Sequence, residues 1–175
     1  DILLEKSVIA IDTEFVRQRT YFPLLGLIQI NSGDATYLID PLGMTDWTKF
    51  NTVLASKDII KVIHSCSEDV EVFKSALGVR VEGFDDTQVA EAHLNKGNAL
   101  GLALLVERYK DVKMDKGQAR TDWLQRPLSD KQLSYASEDV RWLLDIYREQ
   151  SEALGDAITD VMEDITLIVD KKHRP

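Results

Sequence analysis

The sequence has little of what would tie a chain to an oxidising or a lipid environment. It holds a single cysteine, Cys66, so no internal disulfide can form, and a reducing, cytoplasmic setting is the expectation. No apolar run reaches the length of about 18 residues that a membrane span needs, and no signal-peptide pattern is present, so no membrane partner is expected. Basic residues are the minority, 21 Lys and Arg against 30 Asp and Glu for a formal net charge of −9. That balance argues against a protein that coats nucleic acid through bulk electrostatics. Internal repeats and low-complexity segments are also missing, which excludes solenoid and linker architectures.

What is present is enough for one domain: 175 residues, of which 44% are hydrophobic, can bury a sizeable core. A single domain over 1–175 is the expectation, and a first residue other than Met reads as a trimmed start. The charges are unevenly placed. No acidic residue occurs between Phe15 and Gly33, where Arg17 and Arg19 lie, and Lys113, Lys116, Arg120 and Arg126 outnumber Asp115 and Asp122. These two segments could form a local basic rim around an acidic centre.

The chain is organised around Ser7-Val-Ile-Ala-Ile-Asp-Thr-Glu-Phe15, a strand that runs apolar and then ends in two carboxylates. Strand side chains alternate, so Asp12 and Glu14 point to one side and Thr13 and Phe15 to the other. Two anions side by side raise one another's pKa and are stable with a cation between them or a shared proton. Hard oxygen ligands suit Mg²⁺ or Mn²⁺.

Segments 24–30 and 35–39, separated by Asn31-Ser-Gly-Asp34, read as a hairpin that completes an antiparallel meander. Trp47, Phe50 and Leu54 have helical spacing over 47–55. Residues 59–63 form a further strand ending at His64, read as a hydrogen-bonded strand-end histidine. Ser65-Cys-Ser-Glu68 has capping-box spacing and opens a helix with Asp69 in its first turn, closed by Gly78. Residues 79–84 read as a short strand and 85–94 as a helix; 100–109, apolar nearly all round, reads as a buried helix. The stretch 111–126 has no sustained period and reads as a long, functional loop. Ser129-Asp-Lys-Gln132 caps one helix carrying Leu133, Ala136, Val140, Leu143, Leu144 and Tyr147 on its core face, with Tyr135 and Asp139 stacked four apart beside it. A last amphipathic helix covers 156–169. Strands first and then strands alternating with helices predict an α/β fold with a mixed sheet.

Asp12, Glu14, Asp69 and Asp139 exceed what one cation needs. The economical expectation is a pair of divalent ions, Mg²⁺ or Mn²⁺, about 3.5–4 Å apart, serving an in-line phosphoryl displacement.

Asp12-Thr-Glu14, the block from His64 to Asp69, and Tyr135-Ala-Ser-Glu-Asp139 resemble the three motifs of the DEDD exonuclease superfamily in its tyrosine-bearing branch. The stretches 12–29, Asp40-Pro-Leu-Gly43 and 120–129 resemble the bacterial ribonuclease D family over essentially the whole chain. The resemblance implies a ribonuclease H-like fold and a monomeric 3′→5′ exoribonuclease that trims tRNA and other structured RNA precursors, releasing nucleoside 5′-monophosphates. It also implies C-terminal helical domains that this chain stops before, so catalysis should depend on them less than substrate affinity does. Its roles for Asp12, Glu14, Asp69 and Asp139 are metal ligation, with Asp12 bridging, and for Tyr135 a hydrogen bond to the attacking water. Thr13, Phe15, Gln88, Lys116 and Arg120 are the candidates for substrate contact, Phe15 by stacking on a base and Lys116 and Arg120 at phosphates. Gln88 has helix capping, and Phe15 core packing, as the competing reading.

Overall fold

The computed structural model describes residues 1–17 and 21–173. Its centre is strand β1 (Val8–Val16), paired antiparallel with β2 (Leu24–Asn31), which pairs antiparallel with β3 (Thr36–Ile39). On the other edge of β1, β4 (Ile60–Ile63) and then β5 (Phe84–Asp86) run parallel to it, giving the order β3-β2-β1-β4-β5. The expected meander and mixed sheet are therefore present. The register shifts between Glu14 and Phe15, directly after the two carboxylates of β1.

The alternation read from β1 divides the core in two. Ile9 and Ile11 face one layer, made by α1 (Thr48–Ala55), α2 (Ser67–Leu77) and α7 (Ile158–His173), through Leu54, Phe73 and Ile165. Ala10 faces the opposite layer, where Val140 of α5 (Asp130–Arg141) and Leu143 and Leu144 of α6 (Leu143–Leu154) close over Val62. Each of the Val, Leu, Ile and Phe side chains among these, when fully buried, contributes about 1.5–3 kcal/mol of transfer free energy. Both layers are built of buried apolar side chains, so the polar end of β1 is the place where the two open. Of two shorter helices, α3 (Thr87–Leu94) follows β5 directly, and α4 (Leu102–Lys110) packs on α6 through Leu105, Val106 and Ile146.

Several local expectations are corrected. The strand expected over 79–84 is displaced to Phe84–Asp86. Val79 and Val81 are buried in the core, but the backbone turns at Gly83, whose φ is +66° and which lies against the carbonyls of Ile59 and Ser56, so pairing begins only beyond it. The capping box at Ser65 does not form. Ser65 adopts a φ of 65°, and α2 starts at Ser67 with no side-chain cap from Cys66. The amides of Ser65 and Cys66 instead donate to the Asp86 carboxylate at 2.9 and 2.8 Å. The Ser129 capping box does form, with both reciprocal bonds to Gln132, but the helix it opens breaks at Trp142 (φ −101°, ψ −10°) into α5 and α6. In α4 only Leu105 and Val106 are buried and Leu104 is 53% exposed, so this apolar helix is not a core helix. No helix or strand occurs between α4 and α5, in keeping with the long loop. No described helix is long and apolar enough to cross a membrane.

Candidate active site

Asp12 and Glu14 leave β1 on the side where α5 packs, and Asp139 of α5 comes down onto them. One carboxylate oxygen from each of the three lies within 4.8 Å of the others. Asp139 reaches this position because the Ser129–Gln132 cap fixes the start of α5 nearly three helical turns earlier. Asp69 approaches from the other layer, at the first turn of α2. There the Thr13 hydroxyl, which alternation turns away from Asp12, donates to Asp69 Oδ1 at 2.5 Å. Asp69 is thus a neighbour of the three-carboxylate cluster rather than one of its closest members, and among the neighbouring charges its field acts most strongly on Asp12.

The anions have few partners. Asp12 accepts from the Thr13 amide at 2.9 Å, and Glu14 accepts from Gln29 Nε2 at 3.2 Å, Gln29 being the cross-strand neighbour of Asp12. No cation acts on any of the four among the described residues. Burial, followed by the charges of Asp69, Asp139 and Glu14, holds Asp12 well above the ordinary aspartate range. Burial and Asp139 push Glu14 up to about 9. Burial lifts Asp139 to about 7, a rise that its hydrogen bond with Glu14 moderates. Both members of that pair are thus held above the ordinary carboxylate range by burial and by each other. Burial likewise raises Asp69 to about 7, held back by the Thr13 hydroxyl.

Tyr135, one turn before Asp139, is half-buried and lines the same cleft of about 410 Å³. Burial and then the Asp139 charge push its phenol above the ordinary tyrosine value, so it keeps its proton at neutral pH. Behind it stands Trp123, 1% exposed, with ring centroids 6.1 Å apart. Trp123 is held by two devices. A Cβ on Gly26 would lie 2.6 Å from the Trp123 carbonyl, so only glycine lets β2 and the long loop touch. Arg126 then ties that loop down, donating to the carbonyls of Trp123 at 2.9 Å and Gly26 at 2.7 Å and to both Asp40 oxygens.

The remaining candidates separate. Lys116 lines the cleft, at its exposed rim, and Thr13 lines it while its hydroxyl serves Asp69. Phe15 is packed against the core cluster of Ile9 and Ile11. Gln88 donates its side-chain amide to the Leu100 carbonyl at 3.1 Å and borders another cavity with Val89 and His93. Arg120 is exposed and is not among the residues lining the cleft. Arg19 lies outside the described residues, and Arg17 pairs with Glu71. His64 is hydrogen-bonded at the strand end, its Nδ1 2.9 Å from the Thr87 hydroxyl, and Cys66 is fully buried.

Sequence reasoning missed the wall opposite the carboxylates, formed by Leu102 and Leu104 of α4 and Met114 of the loop. The excess shows only against the structure: α4 is more apolar than its two buried residues, Leu105 and Val106, require. All-oxygen donors, converging without a cation and at the cost of raised pKa values, fit a hard divalent ion.

A 3′–5′ exonuclease family model matches residues 1–154. The chain belongs to that 3′–5′ exonuclease family. Among its relatives, ribonuclease D of Haemophilus influenzae is 43% identical over 172 residues, covering 97% of this chain and 43% of that protein. Ribonuclease D of Escherichia coli is 48% identical over 150 residues, covering 84% of this chain and 40% of that protein. The crystal structure of E. coli RNase D, described as an exoribonuclease involved in structured RNA processing, superposes with a TM-score of 0.94 at 38% identity, over 99% of this chain and 47% of that one. The catalytic core of RRP6 from Trypanosoma brucei gives 0.85 at 26%, over 96% of this chain and 47% of that one. The ribonuclease H-like α/β fold is thereby established, and the chain spans less than half the length of these relatives.

Proposed function

We propose that this chain, as one catalytic domain, hydrolyses RNA phosphodiester bonds from the 3′ end and releases nucleoside 5′-monophosphates one at a time. The observation that carries this reading is the convergence of Asp12, Glu14 and Asp139 without a compensating cation, beside Tyr135 in an open cleft. Asp12, Glu14 and Asp139, with Asp69 alongside, would hold two divalent ions, Mg²⁺ or Mn²⁺, which when bound supply an acidified water and charge stabilisation at the attacking and leaving oxygens.

The chain's own residues have distinct tasks. Tyr135, kept protonated, orients the attacking water through its hydroxyl rather than removing a proton. The Thr13 hydroxyl and the Gln29 amide fix the rotamers of Asp69 and Glu14. Leu102, Leu104 and Met114 give the terminal base an apolar wall, and Lys116 at the rim meets a phosphate. Structured precursors such as tRNA are the proposed substrates, in line with the E. coli relative's description.

Single-stranded RNA labelled at the 3′ or the 5′ end, with and without EDTA, tests the reading. Labelled mononucleotide should appear at once from the 3′-labelled strand and EDTA should stop it. Cleavage of RNA blocked at its 3′ end would overturn the exonucleolytic assignment. Faster hydrolysis of matched DNA would overturn the choice of RNA.

A further inference from the structure

Away from the cleft, two large aromatic side chains stand in solvent. Tyr21 is 85% exposed and Phe22 55%, and their rings meet edge to face with centroids 4.8 Å apart. They form one side of a groove of about 540 Å³ whose other side carries Lys74, Lys171 and Lys172. Arg17 adjoins it. Its guanidinium pairs with Glu71 at 3.2 Å, and the opposite oxygen of Glu71 takes Lys172 at 2.9 Å. Lys74 donates to the Lys172 carbonyl at 3.2 Å, which fastens the end of α7 to α2. Glu71 thus holds two cations, Arg17 and Lys172, with one negative charge, and Lys171 adds a third cation to the groove. In a chain of net charge −9 this local excess of positive charge requires an explanation.

Its placement relative to the carboxylates supplies one. Arg17 directly follows β1, the strand that carries Asp12 and Glu14. Lys74 lies on the helix that opens with Asp69, five residues further on, which is about 7.5 Å along the axis. The groove is therefore within a few nucleotides of the cleft. Exposed rings offer faces to bases, and ammonium groups beside them offer charge to phosphates; together these bind single strands with little sequence preference. An acidic peptide would use the cations but not the rings, and an apolar partner the rings but not the cations.

We infer that this groove holds the single-stranded RNA segment upstream of the 3′-terminal nucleotide, with Tyr21 stacked on a base and Lys171 and Lys172 at phosphates. The inference rests on the proposed function. It makes the groove a determinant of affinity for long substrates, independent of the chemistry.

The experiment compares a dinucleotide with a dodecanucleotide of single-stranded RNA, for the wild type and for Tyr21→Ala and Lys171→Ala, both at exposed positions. Steady-state kinetics with Mn²⁺ should show KM for the dodecanucleotide rising about tenfold in Tyr21→Ala with kcat unchanged. Dinucleotide kinetics should not change. Fluorescence anisotropy of the dodecanucleotide in an Asp12→Asn background, where no probe is consumed, should show the same loss of affinity. Lys171→Ala in that background should lower the slope of log affinity against log salt by about one. Unchanged dodecanucleotide binding in both variants, or equal losses for the two substrates, would overturn the inference and leave the groove as a surface for a protein partner. Failure of the wild type to hydrolyse either substrate would instead strike the proposed function, and anisotropy would still decide whether the groove binds RNA.

Discussion

Asp86 and Glu91 are as deeply buried as the carboxylates at the end of β1, at 1% and 2% exposed against 8% for Glu14 and 7% for Asp139, yet their surroundings differ in kind. Asp86 accepts from the amides of Ser65, Cys66 and Gln88, all within 2.9 Å. Glu91 takes the Arg108 guanidinium at 2.5 Å, the Tyr109 hydroxyl at 2.9 Å and the Gln150 amide at 3.2 Å. Asp12, Glu14 and Asp139 meet one backbone amide, one side-chain amide and each other. The first pair holds the fold together: Asp86 joins β5 to the turn before α2, and Glu91 joins α3 to α4 and α6. The second group lacks the donors that would make its burial favourable, and a divalent cation is the partner that would supply what the donors do not. Depth of burial does not separate structural from functional carboxylates here; the supply of donors does.

The strongest way to break this comparison is to remove one charge from each group. Asp12→Asn should abolish nucleotide release while leaving the melting temperature in EDTA equal to or above that of the wild type, because a repulsion is relieved. Wild-type-like turnover would end the metal-site assignment. The next effect belongs to the same cluster. Tyr135→Phe keeps the ring against Trp123 and loses one hydroxyl, so a fall in kcat of about 10²-fold is expected, shallower than that of Asp139→Asn. Equal losses in single-turnover assays would mean that Tyr135 does more than orient water.

Asp86→Ala should do the opposite of Asp12→Asn. It strands three backbone amides, a cost of about 2–3 kcal/mol, which is roughly 5–10 °C in melting temperature for a domain of this size. Residual activity per folded molecule should be largely retained. A melting temperature unchanged by this substitution would show that the amides find water as readily as the carboxylate, and the contrast between the groups would lose its physical basis.

Much of this was legible in the sequence because it depends on spacing within one element. Period-two alternation placed Asp12 and Glu14 together and sent Thr13 the other way, and the Ser129 cap fixed the turn of α5 that carries Tyr135 and Asp139. What was not legible depends on partners far along the chain. Ser65-Cys-Ser-Glu68 has the spacing of a cap, but the carboxylate that satisfies those amides comes from Asp86, twenty residues on, and nothing local reports it. Trp123 could not be assigned to Tyr135 without knowing that Gly26 admits the loop. The α4 segment looked like core because its apolar residues gave no sign that one side would face a cleft.

The smallest expected effect sharpens the comparison through pH. Glu14 sits at about 9, and Asp69 and Asp139 at about 7, against ordinary values of 4.5 and 3.8. A folded-state pKa above the unfolded value means that the folded chain holds its protons longer. The associated stability is complete below about pH 4 and is lost as pH rises through 7 towards 9. Metal-free protein should therefore melt progressively lower between pH 6 and pH 9. A cation that binds only the folded state adds RT ln(1 + [L]/Kd), about 2.7 kcal/mol at a hundredfold excess over Kd, and it displaces the same protons, so the gain from millimolar Mn²⁺ should grow with pH. Asp12→Asn should flatten both trends at once. Asp86→Ala should lower every melt while changing the slopes much less than Asp12→Asn does, because among the four carboxylates its charge is a named cause only of the rise in Asp69. Thermal melts of the three proteins in EDTA and in Mn²⁺ provide the check: parallel pH profiles for wild type and Asp12→Asn would mean that the cluster at the end of β1 does not store this repulsion and that the metal binds elsewhere.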